Sequence, residues 1–233
     1  MTSAGGGRGP GLELLATGRS ANVYRVDEST VLRRYRDGTD VTAEADLMRH
    51  LGGAGFPVPA VFGARGTELL MERLTGPTLL ERLVAGRMDG RHAVDLLVDL
   101  HHRLHSVPLP AGLPGADPGD AILHLDLHPA NIIMSERGPV VIDWRDAAPG
   151  PADLDQAMSA LVMASVALDP ANPWAALAQA FLQGFCARIG EVPPALLDAA
   201  AARRLQDPGI SPDDAAEILP ALDLVRELWP AVP

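Results

Sequence analysis

Two periodicities divide the chain. Up to about Leu74, apolar residues come in short runs broken by turn residues: LELLATG and NVYRV flank a turn at GRSA, DES leads into TVLRRYR, and ELLMERL follows further on. Short β-rich runs with such punctuation predict a meander of strands. One helix interrupts it at TAEADLMRHL, with Thr42 as its cap and Leu47, Met48 and Leu51 on one face; GGAGFPVPAVFG then breaks it. After a hinge near Leu70–Gly76 the spacing becomes helical. Val94, Leu97, Val98, His101 and Leu104 form one stripe. Trp174, Leu177, Ala178, Phe181, Leu182 and Phe185 form another, behind Asn172 as cap and Pro173 in the first turn. Trp174 and Phe181 are expected in the core, and further helices over 153–168, 194–206 and 212–229. These patterns predict an α+β chain: a strand-rich lobe over 12–74 and a mainly helical lobe over 75–233.

One segment of the helical half breaks its rule. NIIM and VVID are β-branched runs around SERGP, which predicts a hairpin. With a loop over 135–139, Ile132 faces Ile142 and Asn131 faces Asp143, with Cβ atoms roughly 5 Å apart. An amide and a carboxylate side by side are hard oxygen donors of the kind magnesium accepts. Upstream, DLHPA returns Asp126 to the same end, Pro129 stiffening the loop. A carboxylate beside two magnesium ligands suits phosphoryl transfer, where the protein supplies positioning and electrostatics. His124, Asp126, Asn131 and Asp143 follow the order H-x-D, four residues, N, then a metal-binding Asp on a later strand that protein kinases use. Each residue alone would read as a turn-edge polar group; the ordered set between matched strands does not.

Composition narrows the partners. Of 233 residues 47% are apolar and 21% charged, with no run of roughly 18 apolar residues that could cross a membrane. MTSAGGGRGPG, residues 1–11, reads as a flexible tail without the apolar stretch of a secretory leader, so a cytoplasmic location is expected. The single Cys186 excludes a disulfide framework and reads as a buried small residue. A net charge of −11 argues against nucleic acid or an anionic membrane as partner and suits a cationic small molecule; oligomeric state is left open. All 19 basic residues are arginine. The abundance of Ala, Gly, Pro and Arg accounts for the missing lysine, yet any phosphate-binding cation here must be arginine.

HLDLHPANIIM resembles the H-G-D-L-H-P-x-N-hydrophobic loop of the aminoglycoside phosphotransferase and choline kinase family, and VVIDWRDAAPGPADLDQA resembles its I-D-W…G…D-x-A segment. The likeness runs from about Leu14 to the helix after Asp155, more loosely beyond. It implies a bilobal protein-kinase-like fold, with γ-phosphoryl transfer from ATP, or GTP as the alternative, to a hydroxyl of an aminoglycoside-like, amino-alcohol or sugar substrate. Asp126 would be the catalytic base, and Asn131 and Asp143 would hold Mg2+. His124, His128 and Asp155 would support the catalytic loop, with Asp153 a competitor of Asp155 that could simply cap the helix. GRSANVYRV resembles the phosphate-covering turn, with Ser20 and nearby backbone N–H groups meeting the nucleotide. VLRRYR resembles the strand that normally carries a phosphate-binding lysine: Arg33 would take that place, sharing a face with Val31 and Tyr35 and pairing with Glu44. LLMERLTG resembles the hinge, with Glu72 and Leu74 bonding through backbone atoms and Met71 lining the nucleotide pocket. Two departures stand out. Leu125 replaces a common glycine, and arginine for lysine keeps the charge but changes reach and geometry.

Two other readings compete. His124-x-Asp126-x-His128 has the look of a zinc ligand cluster in a metal-dependent hydrolase. A nucleotide-binding pseudoenzyme that kept the fold and lost turnover is the other, favoured only by Arg33. His50, His92, His101, His102 and His105 read as packing or surface residues.

Overall fold

A computed structural model describes residues 12–110, 115–117, 119–207 and 210–229; the tail expected over 1–11 lies outside the described residues. The chain forms two compact units, the first running to Gly52 and including Pro59–Leu74, the second made of Gly53–Val58 and everything from Thr75 onward.

The first unit is an antiparallel sheet of β1 (Glu13–Thr17), β2 (Ala21–Arg25), β3 (Thr30–Tyr35), β4 (Val61–Arg65) and β5 (Glu68–Glu72), in the order β1-β2-β3-β5-β4. Helix α1 (Thr42–Gly53) enters between β3 and β4. On β3, Val31, Arg33 and Tyr35 are buried while Arg34 is exposed, the period-two alternation of a strand with one covered face. Helix α1 turns Glu44, Ala45, Met48 and Leu51 inward, with Leu47 only half-buried. Thr42 does not cap it. Thr42 is the first helical residue, and its amide donates to the carboxylate of Asp40 at 2.9 Å.

The second unit begins with α2 (Leu79–Val84), a helix the periodicity missed because it is short; a reciprocal Thr78–Glu81 capping box starts it. Asp89 caps α3 (Gly90–His105). Strands β6 (Ala121–Leu123), β7 (Ile132–Ser135), β8 (Gly138–Val141) and β9 (Ala148–Gly150) follow, then α4 (Ala152–Leu168), α5 (Ala175–Ile189), α6 (Pro194–Leu205) and α7 (Pro212–Leu228). Helix α4 is buried almost continuously from Asp155 to Leu161, as expected of a helix that packs against α5, α6 and α7. Trp174 does not join the core. It is 41% exposed, because the Asn172 side chain accepts its amide and α5 starts only at Ala175; Phe181 is buried. Among the described residues no helix is long and apolar enough to cross a membrane.

The hairpin forms in a register one residue away from the expected one. Ile132 pairs with Val141, Ile133 with Val140, Met134 with Pro139 and Ser135 with Gly138, leaving a two-residue turn at Glu136–Arg137. Gly138, at φ +101°, adopts the left-handed backbone that lets so short a turn close. The Asn131 carbonyl therefore accepts the Ile142 amide at 3.0 Å, and Asp143 lies one residue beyond Asn131's partner. The outer edge of β7 is fastened to the segment before α2: the Met134 amide donates to the Pro77 carbonyl at 2.8 Å, and a side chain at Gly76 would run into the Met134 carbonyl.

Candidate active site

The loop from His124 to Asn131, between β6 and β7, carries four of the sequence-predicted residues, His124, Asp126, His128 and Asn131; Asp143 follows β8 and Asp155 lies in α4. His124 is fully buried. Its Nδ1 accepts the Asp126 amide at 3.2 Å, so the proton sits on Nε2, which donates to the Ile142 carbonyl at 2.9 Å. The ring packs edge-on against Trp144, 4.6 Å between centroids, and the Trp144 indole N–H donates to the Val141 carbonyl at 3.0 Å. His124 thus ties the loop to the end of the hairpin. It has no lone pair left for a metal, which disposes of zinc ligation by His124, Asp126 and His128.

Asn131 turns its Nδ2 to Asp126, donating to the backbone carbonyl at 2.9 Å and to carboxylate Oδ2 at 3.1 Å. His128 accepts the Ala130 amide on Nδ1 at 3.2 Å, which starts a 3-10 turn (Pro129–Asn131) and aims Nε2 at Asp126 Oδ2 from 3.6 Å. Partial burial of Asp126 pushes its carboxyl up, but the hydrogen bond and charge of His128, with lesser help from His124 and Arg204, hold it below the ordinary value. Asp126 is therefore an anion at neutral pH. Asp143 is exposed at φ +69°. Nearby Asp146 is pushed up, first by burial and then, against the pull of Arg145, by the charges of Asp143, Asp126 and Asp207. Four carboxylates therefore share one locality of this unit.

Among the described residues, the non-glycine residues with positive φ are Leu125, at +65°, and Asp143. A side chain in left-handed backbone costs roughly 1–2 kcal/mol, and strain of this kind gathers at functional sites. The Leu125 amide donates to Asp155 Oδ1 at 2.6 Å, and its side chain is buried. Asp155, fully buried in the first turn of α4, also accepts His105 Nε2–H on Oδ2 at 2.9 Å, with His101 Nδ1 facing the same oxygen at 3.5 Å. Burial opposes its charge, yet the two imidazoles outweigh burial and hold it far below the usual carboxylate range. Asp153 does not cap α4, whose N-cap is Pro151 with no side-chain hydrogen bond. His101 and His105, read from sequence as packing or surface residues, instead flank this carboxylate. The available signal was their four-residue spacing, with His101 on the apolar stripe of α3.

The remaining sequence-predicted residues belong to the first unit. Arg33 Nη1 donates to Glu44 Oε1 at 3.1 Å, and the Tyr35 hydroxyl donates to Glu44 Oε2 at 2.7 Å, so α1 supplies one carboxylate to two neighbours on β3. The pair is buried. Ser20 is half-buried in the β1–β2 turn, and its carbonyl accepts the Arg36 amide at 2.9 Å. The Arg36 guanidinium also reaches Asn22 Oδ1 at 2.6 Å and the carbonyls of Gly18 and Arg19. That clamp on the turn was not read from sequence. Met71 pairs with Val31 and Val61 in the sheet. The Glu72 amide donates to the Ala60 carbonyl at 2.8 Å while its carboxylate accepts the Ala60 amide at 3.0 Å; Leu74 ends the unit, half-buried.

The family model described as the phosphotransferase enzyme family, APH, matches residues 11–121 and 109–198. The chain belongs to that family. Among phosphotransferases of known activity it is similar to a streptomycin 6-kinase of Streptomyces griseus, 28% identical over 139 residues covering 43% of this chain and 44% of that protein. It is also similar to a hydroxyurea phosphotransferase of Kitasatospora aureofaciens, 32% identical over 165 residues covering 49% and 48%. The chain thus spans less than half the length of these curated relatives. In fold it matches the phosphotransferase APH(2'')-Ib bound to ADP, with a TM-score of 0.57 at 13% identity over 93% of this chain and 94% of that one. It likewise matches a gentamicin complex of APH(2'')-IIa, with a TM-score of 0.58 at 13% identity over 91% and 90%. The family fold is protein-kinase-like, here with its sheet in the first unit and its helices chiefly in the second.

Proposed function

We propose that the protein is a small-molecule kinase that transfers the γ-phosphoryl group of ATP, with GTP as the alternative donor, to an alcohol hydroxyl. Residues 12–74 bind the nucleotide and 75–233 carry the chemistry and the acceptor. The observation that carries the reading is the coupling of Asp126 to Asn131 in the loop beside Asp143. Asp126, ionised and one-third exposed, receives or orients the proton of the incoming hydroxyl. Because Asn131 spends its Nδ2 on Asp126, its amide oxygen is the atom turned to a cation, and with the Asp143 carboxylate it makes a hard-oxygen set that fits Mg2+. Magnesium held there would neutralise phosphate charge during transfer. Arg33, braced by Glu44, tethers phosphate oxygens in the role that lysine plays elsewhere in the family. Ser20 and the turn clamped by Arg36 cover the phosphates. Met71, Glu72 and Leu74 meet the purine.

The named activities of the relatives, on streptomycin and on hydroxyurea, support a small polar acceptor, and the net charge of −11 favours a cationic one. The single, buried cysteine of the chain fits a reducing compartment such as the cytoplasm. The test is ADP release from Mg-ATP across a panel of hydroxylated amines, aminoglycosides and sugars. Asp126→Ala should lower turnover by about 10²–10⁴-fold while Mg-nucleotide binding persists. Equal turnover in the variant would remove the base assignment, and nucleotide binding without turnover on any acceptor would favour the pseudoenzyme.

A further inference from the structure

Among the described residues, His101 is a fully buried imidazole of the second unit that the proposed chemistry leaves unused. It is fully buried on α3; its Nδ1 faces the Asp155 carboxylate, an acceptor only, so the proton sits on Nδ1 and Nε2 accepts from the Ser159 hydroxyl at 3.0 Å. That Nδ1–H faces Asp155 Oδ2 at 3.5 Å and has no hydrogen-bond partner of ordinary geometry. Ser159, His101 and Asp155 follow the order of a hydrolytic triad, but all three are fully buried and no acyl substrate can reach them. A metal held by His101, His105 and Asp155 would have to displace the 2.9 Å bond between His105 and Asp155. What the cluster does touch is the catalytic loop, through the 2.6 Å bond from the Leu125 amide to Asp155.

We propose that His101 is a positioning residue for Asp126: with Ser159 behind it, it holds Asp155 aimed at the Leu125 amide and so offsets the backbone strain that Leu125 introduces just before the base. A glycine at 125 would take φ +65° without penalty and would leave the clamp little to hold. With leucine there, the backbone relaxes out of the left-handed region unless its amide is gripped, and Asp126 turns with it. The inference rests on Asp126 being the acceptor-hydroxyl base.

The experiment is a double-mutant cycle between positions 101 and 125. His101→Leu should lower kcat about tenfold, since it removes the N–H dipole that faces the buried Asp155 charge at 3.5 Å, with KM little changed. In a Leu125→Gly background the same substitution should cost less than about threefold. His101→Asn, whose amide nitrogen falls near the place of Nδ1, should recover most of the loss and guards against mere failure to fold. Losses of equal size in both backgrounds overturn the proposal. A second readout needs no turnover: the Leu125 amide proton, held by a carboxylate, should resonate far downfield and exchange slowly in wild type, shift upfield in His101→Leu and return in His101→Asn. An amide that does not move overturns the proposal even if the protein proves to be no kinase. Stoichiometric zinc whose removal shifts that proton overturns it as well, in favour of a metal site.

Discussion

Both units bury a carboxylate between cations or proton donors, and they do so by different routes. In the first, Glu44 meets Arg33 and Tyr35, which alternate along one face of β3, and the α1 contact lies only eleven positions from Arg33. In the second, Asp155 gathers His105 from fifty positions upstream and the Leu125 amide from thirty. The first cluster is a strand-and-helix motif that holds a side chain. The second joins α3, α4 and a loop, and holds a backbone conformation. Loss of the first should therefore injure one residue's function, and loss of the second should injure the fold and the loop together.

The largest expected effect is at Asp155. Asp155→Ala strips the Leu125 amide and His105 of their buried acceptor, and should cost about 3–5 kcal/mol; urea denaturation of wild type and variant measures it. A loss below about 1 kcal/mol would mean that the cluster is no more structural than an exposed pair. Next is Arg33 against Arg34 on the same strand. Arg33→Ala takes a charged donor from buried Glu44 and should weaken nucleotide binding at least tenfold, whereas Arg34→Ala breaks an exposed pair with Glu68 worth at most about 1 kcal/mol. Calorimetric titration with Mg-nucleotide separates the two, and equal effects would erase the distinction between the faces of β3.

The smallest effect is that of pH. Burial pushes His101 down, against the opposing pull of Asp155, with the charges of His105 and His124 adding to the lowering. The unfolded chain therefore binds the extra proton first, so stability rises with pH through the window below the ordinary histidine value of 6.5 and falls as acid is added there. Asp155 acts in the same direction lower down: its contribution is full above the ordinary value of 3.8 and drains away as pH drops towards its depressed folded value. Melting temperatures between pH 7 and 5, compared in wild type and His101→Asn, should fall less steeply in the variant.

Strand and helix assignments were legible because period two and period 3.6 survive in single stretches such as β3 and α3. Alternation separated Arg33 from Arg34 without saying which face is covered; the choice of Arg33 came from the family resemblance, and the buried face of β3 carries it. The hairpin register was not legible. SERGP reads equally as a five-residue loop or as a two-residue turn with paired ends, and only the left-handed Gly138 decides. Trp174 was misplaced because a helical stripe does not show where the helix starts, and the Asn172 turn postpones it by two residues. The roles of His101 and His105 needed the long-range meeting of α3 with α4, which no local spacing announces. Leu125 marked a departure from the family loop, but its left-handed conformation, and hence the strain, is set by the tertiary grip of Asp155 on its amide, which a linear pattern does not carry.

Gly76 bears on any effort to retool the protein for a new acceptor. Even a methyl group there would collide with main chain rather than with a side chain able to swing aside, so the spot tolerates no diversification. A mutant library should hold it constant and spread its variety over the helices beyond, where replacement leaves the hairpin's anchorage alone.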